Sequence, residues 1–456
     1  MAKTPRNFSY SRRRVIRTLG AAAIAGLPIR GVAKGSSTPV VPSVVDGYAD
    51  QLSYRPRDRV TLYLNGVQPG RVRLGLYDLA GRRAESIRAE LAPQSPLGER
   101  PWESGFGYQP SATFTVPRIR SGVYLVDGRV PLIVKTPASD RPDVIVVCPT
   151  NTEAAYNASG GRSMYTKAPD TAAIVSFRRP VERPLPAYAD TFMKWIQPLK
   201  LRYTFKYCSD SDLDDYSEIA GARLVVIIGH SEYWTRRARE NFDRFVLEGG
   251  NALLLSGNTM WWQVRYSDDR SQMICYKWQP DPAADQALKC INWPDPKLGY
   301  PVVPSIGADF PRGGYADDPR DAGWDGFKIL LPDSPVFRGV AVQRGDVIRM
   351  RSHEYDGAPL LNAPVTQGEP RLDLAAMGAY RAEIIGYDYG RGPGGGDTVG
   401  TWIAMQRTAT SGTIINGAST DWCGRAGLGG ADGDKLRMII LNMIAVLRNR
   451  ERLFVT

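Results

Sequence analysis

The chain of 456 residues contains only two histidines, and each lies beside a glutamate and a tyrosine. His230, Glu232 and Tyr233 occur in the stretch GHSEYW, and His353 and Glu354 occur in SHEYDGAP. Imidazole and carboxylate groups can transfer protons, and carboxylate and phenol oxygens are ligands that suit a hard cation such as iron. We therefore expect the fold to bring the two groups together as the two walls of one site.

Each group also has a purely structural interpretation. Ser231 or Thr235 could cap a helix that is predicted to begin near Thr235, with Tyr233 packed beneath that helix. The second group could be a polar turn, although Glu354 and Asp356 would point to the same side of an extended chain and could then act together. Spacing alone leaves both interpretations open.

A serine hydrolase is a further chemical alternative. Ser256 follows a predicted strand, where the nucleophile elbow of such enzymes lies, but the G-x-S-x-G frame is absent. Downstream of Ser256, the chain offers only His353 as a base. The structural interpretation is that Ser256, Gly257 and Asn258 form a tight turn between a strand and a helix.

The segments around these groups alternate between strand and helix patterns. The continuous apolar run at 144–148 and the largely apolar stretches at 222–229 and 251–258 are typical of strands that are buried on both faces. Residues 188–200 and 235–250 have apolar positions at helical spacing. This alternation predicts a doubly wound, mainly parallel α/β sheet, whose functional sites lie at the carboxyl ends of the strands.

The N-terminus has the features of an export signal. Arg12, Arg13 and Arg14 precede a short apolar stretch, and Ala33 ends a small-residue cleavage point. The pattern resembles a twin-arginine signal and predicts a periplasmic or secreted protein. That route carries proteins that are already folded, many of them with a cofactor bound.

The charge of the mature chain argues against a nucleic-acid partner. Removal of residues 1–33 leaves 51 basic and 47 acidic residues, so the formal net charge falls from +11 to +4. A protein that binds nucleic acid would need a strongly basic face. No run of apolar residues is long enough for a membrane span, so none is expected after signal cleavage.

Composition divides the rest of the chain into two predicted domains. A linker rich in serine, proline and valine follows the signal, and then short alternating strands predict an all-β sandwich of the immunoglobulin type. A long irregular insertion interrupts the α/β domain and is expected to shape its site. The predicted segments are 1–33 for the signal, 34–41 for the linker, 42–137 for the sandwich, 138–456 for the α/β domain and about 267–335 for the insertion.

The five cysteines are scattered and lack C-x-x-C spacing, which argues against a zinc site. Cys275 and Cys290 could form a disulfide in an exported protein. The odd number leaves at least one thiol free.

Several stretches, taken in order, resemble the C-terminal domain of the large (beta) subunit of N,N-dimethylformamidase. They lie between about 140 and 450, and the most specific are HSEYW and SGNTMWW. Others are ADTFMKWI, SHEYDGAP and INGASTDW. The resemblance implies a sandwich domain followed by a glutamine-amidotransferase-like, flavodoxin-like α/β domain.

The resemblance also implies a mononuclear iron site in which two tyrosines and one glutamate hold the ion, and an activity that hydrolyses a small amide. Carried onto this sequence, Tyr233 is one tyrosine ligand and Glu354 is the glutamate. Tyr188 is preferred as the second tyrosine because of its distance ahead of Tyr233, with Tyr165 and Tyr156 as alternatives.

The remaining polar residues are expected to support this chemistry. His230, Glu232, His353 and Asp356 would orient the ligands or act as the general base. Asn258 would donate a hydrogen bond to the negative oxygen that develops on the amide carbonyl.

The expected function is thus exported, iron-dependent hydrolysis of a C–N bond in a small amide. The chain could form a homo-oligomer, and the need for a small subunit is left open. The alternative from another class is a non-catalytic periplasmic or surface binding protein on the same fold.

Overall fold

The computed structural model of the chain describes residues 43–167, 169–316, 324–362 and 368–454. The predicted export signal and linker lie outside these residues. All described residues belong to one compact unit, and the domain boundary at 137/138 stays a prediction. Within the described ranges, no helix combines the length and the apolar character that crossing a bilayer requires.

The N-terminal part of this unit consists of two sheets around one apolar core. Its elements are, in chain order, β1 (Val44–Ala49), β2 (Ser53–Tyr54), β3 (Arg59–Gly66), β4 (Gly70–Asp78), β5 (Arg83–Leu91), the one-turn helix α1 (Pro101–Ser104), β6 (Ala112–Thr115), β7 (Gly122–Val126) and β8 (Val130–Val134). One sheet has the strand order β1-β3-β6, and the other has the order β2-β8-β7-β4-β5. Every second residue of β3 is buried, so Val60, Leu62 and Leu64 meet Leu76 and Val126 of the other sheet in the core.

The remainder of the unit is organised around a sheet of eleven strands. Its elements are, in chain order, β9 (Val144–Cys148), α2 (Thr150–Tyr156), β10 (Ile174–Ser176), α3 (Asp190–Ile196), β11 (Phe205–Ser209), β12 (Leu224–Gly229), β13 (Tyr233–Thr235), α4 (Arg236–Leu247), β14 (Asn251–Ser256), β15 (Trp262–Tyr266), β16 (Gln272–Ile274), α5 (Val303–Ile306), β17 (Asp309–Tyr315), β18 (Gly326–Ile329), β19 (Val347–Arg349), β20 (Glu354–Gly357), α6 (Leu374–Met377), β21 (Arg381–Arg391), β22 (Asp397–Gln406), β23 (Thr413–Asn416) and α7 (Gly433–Asn449). Short 3₁₀-helices lie among them at Asp210–Asp214, Tyr216–Glu218, Gln286–Leu288, Pro296–Leu298 and Pro335–Phe337.

The large sheet is mixed. Its first five strands run parallel in the order β11-β9-β12-β14-β23, and β22, β21, β17 and β20 continue it as antiparallel strands. Strands β18 and β19 attach to β21. Alternate residues of β9 enter cores on the two faces, with Val144 and Val146 on the face that packs against α3 and α7 and Ile145 and Val147 on the face that packs against α4.

The prediction of a doubly wound, flavodoxin-like or glutamine-amidotransferase-like fold is wrong. The chain is mostly β, with 33% strand and 18% helix, and its sheets are large, mixed and antiparallel. The apolar runs of the parallel strands show only that these strands are buried. They do not reveal that the long antiparallel hairpin β21–β22 extends the same sheet.

A small sheet of order β10-β16-β15-β13 lies at the carboxyl end of the parallel strands. It holds Tyr233 in register with Trp262. The predicted insertion at 267–335 contains β16, α5, β17 and β18, and the chain between β16 and α5 is irregular apart from short 3₁₀-helices.

Candidate functional site

The ends of two neighbouring parallel strands create the site. Strands β12 and β14 end in register, with Gly229 opposite Ser256, and the polar residues that follow each strand project from the same edge. Gly257 lies against β20, because a Cβ at this position would lie 2.5 Å from the backbone oxygen of Glu354. Only glycine allows this approach, which brings the loop after β14 to the start of β20.

The structure joins the two histidine-containing groups through His230. Its Nε2 lies 3.3 Å from Oε2 of Glu232 and 3.4 Å from Oε2 of Glu354, and its Nδ1 lies 3.1 Å from the backbone oxygen of Gly257. Burial lowers the pKa of His230, but the two carboxylates outweigh burial and raise this pKa to about 9. An imidazolium ion between two buried carboxylates is therefore the favoured state of this arrangement.

Two tyrosine hydroxyls donate to the carboxylate of Glu232, and a third tyrosine donates to one of them. Tyr165 donates to Glu232, with distances of 2.7 and 2.9 Å to the two carboxylate oxygens. Tyr233 donates to the Tyr165 hydroxyl at 2.8 Å, and Tyr156 donates to Oε2 of Glu232 at 3.2 Å. Burial, together with the charge of Glu232, raises the pKa of both Tyr165 and Tyr233 well above the usual value, so both are neutral phenols here.

Lys277 lies behind these tyrosines and was missed by the sequence analysis. Its Nζ is 3.5 Å from the centre of the Tyr165 ring and donates to the backbone oxygen of Met164 at 3.0 Å. The side chain is buried, so its charge acts on the site with little screening. A single lysine in an irregular segment gives no spacing signal by which the sequence could have revealed it.

Tyr188 lies on the histidine side of the site. The centre of its ring is 5.7 Å from that of His230 and 5.9 Å from that of His353, onto which it stacks. By contrast, the Tyr233 hydroxyl is bonded to Tyr165. Of the three tyrosines proposed as the second ligand, Tyr165 is therefore the one that the structure joins directly to Tyr233.

Asn258 faces Glu354 through its amide nitrogen, which donates to Oε2 of Glu354 at 2.9 Å. Its backbone nitrogen donates to Asp356 at 2.9 Å, and burial raises the pKa of Asp356 to about 8. The side-chain oxygen of Asn258 is buried, and no hydrogen-bond partner for it is found among the described residues. The amide nitrogen carries a second N–H, so the donation to a negative oxygen stays a prediction, and the side-chain oxygen adds an acceptor.

The turn after β23 supports the second wall. Asp421 accepts a hydrogen bond from the backbone nitrogen of His353 at 2.6 Å, and the Thr420 hydroxyl accepts one from that of Glu354 at 3.2 Å. Both residues lie in INGASTDW, but no role was predicted for them. Their position directly after a buried strand was the signal that could have identified them.

Thr235 caps helix α4, as the structural interpretation of the first group predicted. Its side chain accepts a hydrogen bond from the backbone nitrogen of Ala238 at 3.0 Å. Tyr233 is also buried, at 1% exposure, yet its hydroxyl reaches the polar cluster. Packing and polar contact therefore coexist in this short stretch.

The alternative serine hydrolase site is not formed. Ser256 is fully buried, and its hydroxyl oxygen accepts hydrogen bonds from the Ser231 backbone at 3.1 Å and the Thr259 hydroxyl at 2.9 Å. No histidine of the described residues forms a hydrogen bond with it. All five cysteines are free thiols, so Cys275 and Cys290 do not form the disulfide that the sequence allowed.

The phenol and carboxylate oxygens of the cluster are the kind of ligand atom that a hard metal ion prefers. Among the described residues, no three His, Cys, Asp or Glu side chains are arranged to hold a metal. The hydroxyls of Tyr165 and Tyr233 are 2.8 Å apart, which is about the separation of neighbouring ligands in an octahedral site with bonds of about 2 Å. A tyrosine-based oxygen site therefore fits better than a zinc site of cysteine and histidine.

A family model described as N,N-dimethylformamidase beta subunit-like, C-terminal, matches residues 72–433. The match begins in β4 and includes every site residue named above. A search of curated proteins gave no match to the chain.

Proposed function

Because the chain belongs to the N,N-dimethylformamidase beta subunit-like family, we propose that it hydrolyses the C–N bond of a small amide with the help of a bound iron ion. One observation supports the proposal above the others. Two tyrosine hydroxyls, two carboxylates and an imidazole form one continuous buried cluster at the ends of β12 and β14.

Tyr233, Tyr165 and Glu354 are the proposed iron ligands. Tyr233 and Glu354 follow from the family resemblance, and Tyr165 replaces Tyr188 because its hydroxyl lies 2.8 Å from that of Tyr233. Glu232 is the competing carboxylate, since it already accepts a hydrogen bond from Tyr165. Iron at this place would polarise the amide carbonyl and lower the pKa of a water molecule.

The protein's own groups then bind the amide and move protons. We assign proton transfer to His230 and Glu232, because Nε2 of His230 lies between two carboxylate oxygens and can pass a proton to the leaving nitrogen. Asn258 holds Glu354 in place and offers its buried oxygen to an N–H or water donor. The polar residues after β23 fix the backbone of the second wall.

Release of dimethylamine from N,N-dimethylformamide by the purified, iron-supplied chain tests this function. We expect Glu354→Gln to lose iron and activity together, because the neutral amide is a poor iron ligand. Glu232→Gln should keep iron and lose activity, because its role is proton transfer. If Glu232→Gln loses iron and Glu354→Gln keeps it, the ligand assignment is reversed. An iron-loaded wild type without hydrolysis of any small amide contradicts the proposed function.

A non-catalytic binding protein is the second candidate. His230 lies between the carboxylates of Glu232 and Glu354, so these polar groups satisfy one another without a metal ion. On this hypothesis Tyr233→Phe binds ligand as the wild type does. On the iron hypothesis the same change removes the metal.

The family description also refers to a beta subunit, and we propose a partner subunit for this chain. We further propose export, directed by residues 1–33, so that the site operates outside the cytoplasm.

A further inference from the structure

A cavity of about 100 Å³ lies beside helix α2. Strands β7 and β8 form one wall, and the end of β9 and helix α3 form another. The walls are mostly apolar, with side chains from Leu52, Val123, Ile133, Cys148, Leu185 and Met193. A cavity of this size has room for roughly three or four non-hydrogen atoms, judged by the volume of liquid water.

Glu153 is the single acidic residue among those that line this cavity. Its side chain is half-buried and lines the cavity. None of the described residues forms a hydrogen bond with its carboxyl group. Burial raises the pKa of Glu153 to about 7, with partial opposition from the charges of His230 and Arg183.

The neighbouring cations do not pair with this carboxyl group. Arg179 lines the cavity, but its guanidinium donates to four backbone oxygens, those of Ser159, Arg162, Ser176 and Ala154, at 2.8 to 3.2 Å. Arg183 is exposed and forms no ion pair with Glu153. Since a half-buried carboxylate in a mostly apolar cavity is costly without a partner, a ligand that brings its own positive donor would be stabilised there.

We propose that the cavity binds a small alkylammonium ion, with the ammonium group on the Glu153 carboxylate and the alkyl group against the apolar walls. The existence of the cavity and its carboxyl group does not depend on the proposed hydrolysis. The choice of an amine as the small cation does rest on the proposed function, because amide hydrolysis releases an amine. Glu153 lies one helical turn before Tyr156, whose hydroxyl is 3.4 Å from Nε2 of His230. The released amine would therefore have a second binding site next to the proposed hydrolytic one.

Titration of the full chain with propylammonium chloride, followed by calorimetry, tests this inference. We expect Glu153→Gln to weaken binding by about tenfold or more, because the ligand loses a hydrogen bond to a charged group. Glu240→Gln is the matched control, since it removes an exposed acid of helix α4 outside the cavity, and it should leave the affinity unchanged.

A second measurement needs no variant. With methyl-labelled methionine, the resonance of Met193, which lines the cavity, should shift on titration, and that of the exposed Met438 should not. Failure of the wild type to bind, or equal affinity in Glu153→Gln, overturns the inference. Binding by a chain that holds no iron supports this cavity site and at the same time contradicts the proposed hydrolase.

Discussion

At the scale of single residues, the site depends on how closely its parts approach one another. His230 contacts both Glu232 and Glu354, so the two histidine-containing groups are one cluster. The sequence predicted this meeting from the two similar histidine-containing groups. It did not reveal the route, because Glu354 begins β20, a strand that is not adjacent to β12 in the sheet. It could not show that Tyr165 rather than Tyr188 bonds to Tyr233, since the path of the loop that carries Tyr165 has no periodic pattern.

Gly257 is the residue on which this approach depends most. A Cβ at Gly257 would lie 2.5 Å from the Glu354 oxygen and 2.6 Å from the Thr420 nitrogen, both of them backbone atoms. We expect Gly257→Ala to lower the free energy of unfolding by about 1–3 kcal/mol, as overpacking does. Gly394→Ala is the control, because nothing lies within 4 Å of a Cβ there. Urea unfolding measures both, and an equal effect of the two changes contradicts the packing described.

At the scale of elements, a buried ion network connects the N-terminal sheets to the mixed sheet. Lys135, which follows β8, pairs with Asp212 at 2.6 Å and with Glu218 at 2.9 Å, and Lys206 of β11 also pairs with Glu218. Arg55, which follows β2, adds a contact to Glu218 at 2.6 Å. Three cations on one carboxylate hold the 3₁₀-helix Tyr216–Glu218 between the two parts.

This network makes stability depend on pH. Burial alone would raise the pKa of Glu218, but the hydrogen bonds from Lys206 and Lys135 outweigh it and hold the pKa at about 2. An unfolded glutamate has a pKa of about 4.3, so the stabilisation is complete above this pH and is lost as the pH falls towards 2. Glu218→Gln should cost about 3 kcal/mol at pH 7, because it leaves the buried Lys206 without an acidic partner, whereas Lys135 keeps Asp212.

Urea unfolding at pH 7 and pH 3 measures this effect. The wild type should lose more stability between the two pH values than Glu218→Gln does. Glu369→Gln, which breaks an exposed pair with Arg344, should change stability by less than about 1 kcal/mol. Equal pH dependence in the wild type and Glu218→Gln argues against the network.

The elements were predictable to different degrees. The strands β9, β12 and β14 and the helix α4 follow from their apolar patterns, because burial on both faces or on one helical stripe leaves a local signal. The assembly of these strands did not follow. Pairing between β14 and β23 joins residues more than 150 positions apart, and no local period indicates that β22 then continues the sheet antiparallel.

At the scale of the whole molecule, a family match over residues 72–433 covers the mixed sheet and the part of the N-terminal sheets from β4 onward. The site therefore belongs to a scaffold that includes both parts, and the cavity beside Glu153 is lined by residues from each of them. Export and a partner subunit are proposals at this scale. Both concern the location and the assembly of the protein rather than the geometry of its site.

Iron content tests the central claim most directly. Full-length chain produced with iron available should contain one iron ion per molecule and should absorb visible light through tyrosinate-to-iron charge transfer. Tyr233→Phe and Tyr165→Phe should remove both signals, and Tyr188→Phe should keep them. Wild type that holds no stoichiometric metal and shows no such absorption contradicts the account.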